Sequence, residues 1–346
     1  MVAMVAMAGS CKAGGTRHLM GGPAMVLMAA CMAASGICAA ADDAAYPNRA
    51  VRLIVPFPPG SPSDILARVI TEPLGQRLGK PMVVDNRAGA GGLAGVEATA
   101  SAAPDGYTLV LGGTGALAIS PALRETMPYN VSRDFAPIVL AASFAQMLVT
   151  GNQVPVSTVK ELVALAKSRK GQDQLNFASG GTGAVNHLAG ELFKSAVGIE
   201  ATHIPYKGGT PAAINDIMGG QVQFMFSGVS ILLPSVKAGK LKGIAVAAPT
   251  RSALAPDLPT VIESGVPNFT VEVWVGLLGP AKTPQAVIAK VNSDTMAVLK
   301  TAEVRGRLVA LGAEAVGSTP DEFRAYIAKD ADKWLRVIRG ANIQEE

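Results

Sequence analysis

Short β-rich runs alternate with helical patterns along most of this chain, the sequence sign of βαβ units built on a parallel sheet. Residues 52–57 predict a strand. Residues 63–78 follow as a helix with Ile65, Leu66, Val69, Ile70 and Leu74 on one face. A strand at 81–84, a helix at 93–102 and a turn through Pro104-Asp-Gly106 lead to a third strand at 107–111. A second unit of the same style comes next. Strands are expected at 135–140, 147–150, 175–178, 203–206, 223–226 and 243–247, with helices at 159–167, 185–195 and 211–218. A crossing strand at 271–278 precedes three helices at 284–300, 303–311 and 320–338.

Those last helices have no sheet of their own, so they are expected to return and cover the first one. The implied organisation is two α/β domains: a discontinuous first domain, 42–140 plus 275–346, and a second at 141–274. No Pro/Ser-rich linker separates them. The join is therefore expected to be two crossing segments, a hinge geometry.

The residues ahead of this pattern are different in kind. The first 41 contain no Asp or Glu, carry Lys12 and Arg17, continue through an apolar stretch from Leu19 to Ala34, and end in Ala39-Ala-Ala41. That order predicts a secretory signal peptide, 1–41, cleaved before Asp42. Its apolar part is broken by Gly21-Gly-Pro23 and is shorter than the roughly 20 residues of a membrane span. Leu27-Met-Ala-Ala-Cys31 loosely resembles a lipobox, which leaves lipidation of Cys31 as the rival reading. All three cysteines (Cys11, Cys31 and Cys38) fall in this segment. The mature chain then has neither a disulfide nor a thiol nucleophile. Without Lys12 and Arg17 it carries 28 basic residues against 26 acidic, with no basic run. No nucleic-acid partner is expected, and anion binding would have to come from a local site.

In open α/β sheets, ligands bind beyond the carboxyl ends of the strands, where loops enter helices. Here those loops are small and hydroxyl-rich: Pro58-Pro-Gly-Ser-Pro-Ser-Asp64, Gly112-Gly-Thr-Gly115 and Ser179-Gly-Gly-Thr-Gly183. Ser61 suits an N-cap, Pro62 the first helical position, and Asp64 the acidic third residue of a capping box. Any one loop reads as ordinary capping or as a ligand cradle. Their recurrence at equivalent places in both halves points to binding, because glycine admits a close ligand and helix-start amides favour negative groups. Two such loops facing each other would hold a carboxylate with neutral donors alone.

Catalytic patterns are missing. There is no Gly-x-Ser-x-Gly, Walker or His-Glu-x-x-His motif. His187 and His203 have no further His, Cys or paired acid at ligand spacing, so no metal site, catalytic residue or cofactor is expected. Both read as structural or rim residues. The relaxed dinucleotide patterns at 89–94 and 113–118 carry little weight in a chain with 38 glycines.

Several longer segments have a family likeness. They are Tyr46-Pro-Asn-Arg, Ile54-Val-Pro-Phe-Pro-Pro-Gly60, Asp64-Ile-Leu-Ala-Arg68, Val84-Asp-Asn-Arg-Ala-Gly-Ala-Gly-Gly92 and Ala103-Pro-Asp-Gly-Tyr-Thr-Leu109. Arg133-Asp-Phe-Ala-Pro-Ile138, His187-Leu-Ala-Gly-Glu-Leu-Phe193, Pro205-Tyr-Lys-Gly208, Gly219-Gly-Gln-Val222, Ala238-Gly-Lys-Leu241 and Leu311-Gly-Ala-Glu314 complete the series. In this order they resemble the Bug receptors, the extracytoplasmic solute-binding proteins of the tripartite tricarboxylate transporter family, over essentially the whole mature chain.

The resemblance implies an α/β, two-domain periplasmic-binding-protein (Venus-flytrap) fold, each domain a mainly parallel sheet flanked by helices. It implies a monomer in the periplasm, no enzymatic activity, and two partners: a small carboxylate and the membrane subunits of the transporter. Carried over residue by residue, the carboxylate would be held by Pro58, Gly60, Ser61 and Ser63 and by Ser179, Gly180, Thr182 and Gly183. Thr114 lies on the neighbouring loop, and Tyr206, Ser227 and Trp274 are candidates for contacts beyond the carboxylate. Two positions depart from the family pattern. Pro62 removes a backbone donor from the first loop, and Ser227 stands where many relatives carry Asp, which argues against an amino-acid ligand. A di-, tri- or aromatic carboxylate is therefore expected. The alternatives are a ligand sensor feeding a signalling partner and, more remotely, a secreted hydrolase using Ser179.

Overall fold

The computed structural model describes residues 46–344. The expected signal peptide, its cleavage site and Cys31 lie outside the described residues. Strands are β1 (Val51–Val55), β2 (Met82–Asn86), β3 (Thr108–Gly113), β4 (Phe135–Gly151), β5 (Leu175–Ser179), β6 (Ala201–Pro205), β7 (Phe224–Gly228), β8 (Leu241–Val246), β9 (Glu272–Pro280) and β10 (Glu314–Ala315). Helices are α1 (Pro62–Leu78), α2 (Leu93–Ala100), α3 (Ser120–Leu123), α4 (Val131–Asp134), α5 (Val159–Ser168) and α6 (Val185–Val197). The remainder are α7 (Gly209–Gly219), α8 (Val229–Lys237), α9 (Gln285–Leu299), α10 (Ala302–Ala310) and α11 (Pro320–Gly340).

The strands form a two-domain α/β architecture. In the first domain β2, β1 and β3 run parallel, with Leu53 of β1 in register with Val84 and Leu109. Antiparallel β9 then pairs with β3, β4 with β9, and β10 with β4. In the second, β6, β5 and β7 run parallel, and β4 joins antiparallel to both β7 and β8. β4 therefore belongs to both sheets. Two separate strands were expected here, because Ala141-Ala-Ser-Phe-Ala145 lacks the β-branched residues that signal extended chain. The 17-residue strand instead continues through register shifts near Pro137/Val139 and Leu140/Ala142.

Apolar faces explain the packing. Leu66, Val69, Ile70 and Leu74 of α1 are buried with Leu53, Leu109, Leu277, Val291 and Leu308 in one cluster. Phe177, Phe193, Phe224 and Phe226 anchor another. Of the terminal helices, α9 packs on α1 and β4, and α11 packs on β4 and on the π-turn Gly115–Ile119. A buried polar knot fastens α11: Asp330 accepts from the indole N–H groups of Trp274 (2.7 Å) and Trp334 (3.1 Å) and pairs with Lys333 at 2.6 Å.

Three helices were not expected from the sequence: the single turns α3 and α4, and the longer α8. The run Val-Ser-Ile-Leu-Leu-Pro-Ser-Val at 229–236 has no clear period and contains Pro234, yet it forms most of α8. Pro234 sits in the second half of this nine-residue helix and Gly228 occupies its N-cap position.

Candidate ligand-binding site

The two expected loops are held by contrasting chemistry. In the first, Asp64 is buried and accepts from the Gly60 N–H (2.9 Å), from Arg68 Nε and Nη2 (3.1 and 3.0 Å) and from Asn86 Nδ2 (2.9 Å). The Arg68 hydrogen bond, helped by those from Gly60 and Asn86, lowers its pKa to about 2. Ser61 Oγ caps α1 by accepting from the Asp64 N–H at 3.3 Å, and the Pro58 carbonyl accepts from the Ser61 N–H at 3.2 Å. Gly60 has φ +78, a left-handed conformation suited to glycine.

In the second loop neutral acceptors hold the backbone amides. Ser179 is fully buried, with Oγ 2.6 Å from His203 Nε2 and accepting from the Gly181 N–H at 3.1 Å. Asn186 Oδ1 accepts from the N–H groups of Gly180 and His187 at 3.2 and 3.1 Å. His187 Nδ1 accepts from the Gly183 N–H at 3.0 Å, so that ring nitrogen carries no proton. The fold brings together two histidines that are separate in sequence: their rings stack at 3.6 Å and 8°. Burial first, then the neighbouring His203 and Lys194, depresses the His187 pKa to about 3. The amides of Gly180, Gly181 and Gly183 thus serve the loop's own structure.

Between the two domains lies a cleft of about 360 Å³. Three helix starts meet there: Pro62 and Ser63 of α1, Val185 and Asn186 of α6, and Val229, Ser230 and Ile231 of α8. First-turn amides lack partners within their helix and carry the positive end of its dipole. The floor comes from the crossing strands. Phe144 of β4 faces Val273 of β9, and Val275 and Gln146 follow at spacing two on the same face. Leu311 and Gly312 close the rim, where a Cβ on Gly312 would stand 2.4 Å from that of Ser230. The two walls therefore touch across the cleft. A second contact joins the domains where Gly183 packs on Leu123 of α3.

Of the expected site residues, Ser63 and Ser227 line this cleft. Pro58, Gly60 and Ser61 sit in the turn ahead of Ser63, and Gly180, Thr182 and Gly183 sit in the loop ahead of Val185, behind the first turns of α1 and α6. Trp274 is elsewhere. Strand alternation turns it away from Val273 and Val275, and it is fully buried against Asp330. Thr114 is buried too, its Oγ1 accepting from the Trp274 N–H at 2.8 Å. Tyr206 donates its hydroxyl to Asp216 at 2.8 Å, and partial burial and this bond push its pKa up to about 12.

Sequence reasoning missed Asn186, the Gly228–Ile231 corner, the floor pair Phe144 and Val273, and the rim. The signal for the corner was present: glycine at the end of a strand, followed by an apolar run. A larger groove of about 760 Å³ runs along the later turns of α6 and α11. Its cations Lys194, Lys333 and Arg336 are already paired with Glu191, Asp330 and Asp332. Among the described residues no cluster of three or more His, Cys, Asp or Glu is placed to hold a metal, and no helix is long and apolar enough to cross a membrane.

Known proteins resemble this chain in sequence and fold. Residues 66–343 match the sequence model of the family described as "Tripartite tricarboxylate transporter family receptor". Protein BugT of Bordetella pertussis is 36% identical over 309 residues, covering 89% of this chain and 94% of that protein. A Rhodopseudomonas palustris protein solved with adipate is 30% identical with a TM-score of 0.69, covering 86% of this chain and 99% of that one. MatC from the same organism, with bound malate, is 32% identical with a TM-score of 0.65, covering 85% and 100%. An interdomain cleft entered by helix starts, together with this likeness in sequence and fold, places the chain in the tripartite tricarboxylate transporter receptor family, a group of periplasmic solute-binding proteins.

Proposed function

We propose that this receptor captures a small carboxylate in the interdomain cleft and delivers it to the membrane subunits of a tripartite tricarboxylate-type transporter. One observation carries the reading. Three helix starts converge on a cleft lined by neutral side chains, which suits an anion without requiring a cationic residue. The adipate and malate held by the two structural relatives support the same ligand class. Di-, tri- and aromatic carboxylates are the candidates.

The domains, 42–140 plus 275–346 and 141–274, would close about β4 and β9. Ser63 approaches from one side and Asn186 and Ser230 from the other, so the closed state offers more donors and the ligand shifts the population toward it. Ser61, Gly60 and Pro58 would shape the first helix start, and the Ser179–Gly183 loop the second. Residues 1–41 would be removed on export, and the mature protein would act as a monomer without a cofactor. Ser179 and His203 form a close pair, but the hydroxyl is fully buried, which supports a loop-holding role over hydrolysis.

Thermal unfolding against a panel of mono-, di-, tri- and aromatic carboxylates tests the proposal. A ligand at 100 times its Kd should add about 2.7 kcal/mol and raise Tm visibly. No rise with any member, from protein shown to be ligand-free, would reject it.

A further inference from the structure

Resting on the receptor reading above, we infer that Lys333, which lines the groove behind the hinge rather than the cleft, is a positioning residue: it ties the two domains in the arrangement described here, opposes their closure and so sets ligand affinity from outside the site. The pivot can be located from side chains. Phe269 packs on Phe193 and Phe226 of the second domain. Val271 joins the same domain's sheet, its N–H donating to the Ala247 carbonyl at 2.8 Å and its carbonyl accepting from the Gln146 N–H at 3.3 Å. Trp274, three residues on, is held by Asp330, Phe323 and Tyr326 of α11. The chain between Val271 and Trp274 must therefore bend if the domains are to move.

The crossing strands present two faces there. Val273 and Val275 line the cleft, and Trp274 turns the other way to α11. A rotation that narrows the cleft therefore widens what lies behind it, the groove of about 760 Å³ between α6 and α11. α11 runs from β4 and the π-turn of the first domain to pack on α6 of the second. Leu192 of α6 and Val337 of α11 line the groove from its two walls. Lys333 adds a polar tie. Its ammonium pairs with Asp330 at 2.6 Å and donates to the Thr270 carbonyl at 3.3 Å, on the second-domain side of the pivot. The other two cations of the groove stay within their own helices, Lys194 with Glu191 and Arg336 with Asp332. Closure would lengthen the Lys333–Thr270 bond and part Leu192 from Val337. That cost is subtracted from ligand binding, because only the closed fraction binds at full strength.

Titration calorimetry tests the tie. Ligand-free protein is titrated with adipate, malate, citrate and benzoate, and the tightest of the four is used with the variants. Lys333→Met should bind it about fivefold more tightly, through a larger closed fraction. Its ligand-free unfolding midpoint should fall, because Asp330 loses its cation. Those opposed directions separate a hinge tie from a merely structural ion pair, whose loss would not raise affinity. Leu192→Ala leaves Lys333 and Asp330 in place and should tighten binding about twofold, which decides the matter if Lys333→Met does not fold. Spin labels at Ser195→Cys and Gly340→Cys, in protein carrying Cys11→Ser, Cys31→Ser and Cys38→Ser, should move apart when ligand is added. Unchanged or weaker binding by a folded variant, or labels that stay put or approach each other, would overturn the inference and leave the receptor reading standing. Binding of none of the four ligands to the unaltered protein would remove both.

Discussion

The Gly60–Asp64 turn and the Ser179–Gly183 loop do the same work, each ending a parallel strand's crossover at a helix start, but opposite electrostatics hold them. An ionised carboxylate gathers Gly60, Arg68 and Asn86 around itself in the first. Neutral groups, Ser179, Asn186 and His187, hold the amides of the second. Equivalent backbone shapes therefore do not imply equivalent tolerance. The first loop depends on a group that must stay deprotonated at acid pH, and the second on the His187 imidazole, whose Nδ1 must stay free of a proton to accept from Gly183.

Four measurements would break or sharpen that contrast. The largest effect is expected at Asp64. Asp64→Ala leaves the Gly60 amide and Arg68 without their acceptor and Asn86 without one of its two, costing about 3 kcal/mol in denaturant unfolding. A loss no greater than that of a surface substitution would show that the carboxylate is not what holds this turn.

Acidification comes next. Folded His187 stays neutral down to about pH 3, whereas the same side chain in the unfolded chain takes a proton below about 6.5. The unfolded state then binds more protons across that window, so stability falls as pH falls, by about 1.4 kcal/mol per pH unit from this group. Between pH 6.5 and 5 the difference is about 2 kcal/mol. Asp64 contributes its own loss only lower, between its ordinary value of 3.8 and about 2, where the unfolded carboxylate protonates first. The second loop should thus weaken before the first. His187→Gln, which keeps an acceptor for Gly183, should flatten the slope above pH 5, and an unchanged slope would place the titrating group elsewhere.

Asn186→Ala should cost about 1.5 kcal/mol through the freed Gly180 amide, and it should also weaken carboxylate binding because Asn186 lines the cleft. Thr114→Val is the smallest. It should cost about 1 kcal/mol through the buried Trp274 amide and leave ligand affinity unaltered. A change in affinity there would mean that the loop after β3 reaches the ligand after all.

The sequence makes much of this architecture legible because burial imposes a period. The face Leu66, Val69, Ile70 and Leu74 marks α1 directly, and the β-branched runs mark the parallel strands. The continuous β4 and the helix α8 escape detection for a common reason: Ala141–Ala145 and the Pro234-containing run show neither period clearly. The site suffers accordingly, since α8 supplies one of its three helix starts. Trp274 fails differently. An aromatic in a crossing strand is a fair guess for a ligand contact, but only pairing with β4 decides which face it takes. A step of one residue exchanges it for Val273. The loops themselves were visible in sequence, while the inward turn of their amides depends on His187 and Asn186 and so on the folded helix.

The pairing of Ala145 with Glu272 has an architectural consequence of its own. Cross-strand partners lie only about 5 Å apart, so the whole stretch between them leaves and re-enters the chain at nearly one point. Residues 146–271 form a cassette whose ends already meet. Joining Ala145 to Glu272 through a short hairpin would excise the cassette at little loop-closure entropy, and grafting it between paired strands of a relative would exchange one wall of the pocket without rebuilding the other.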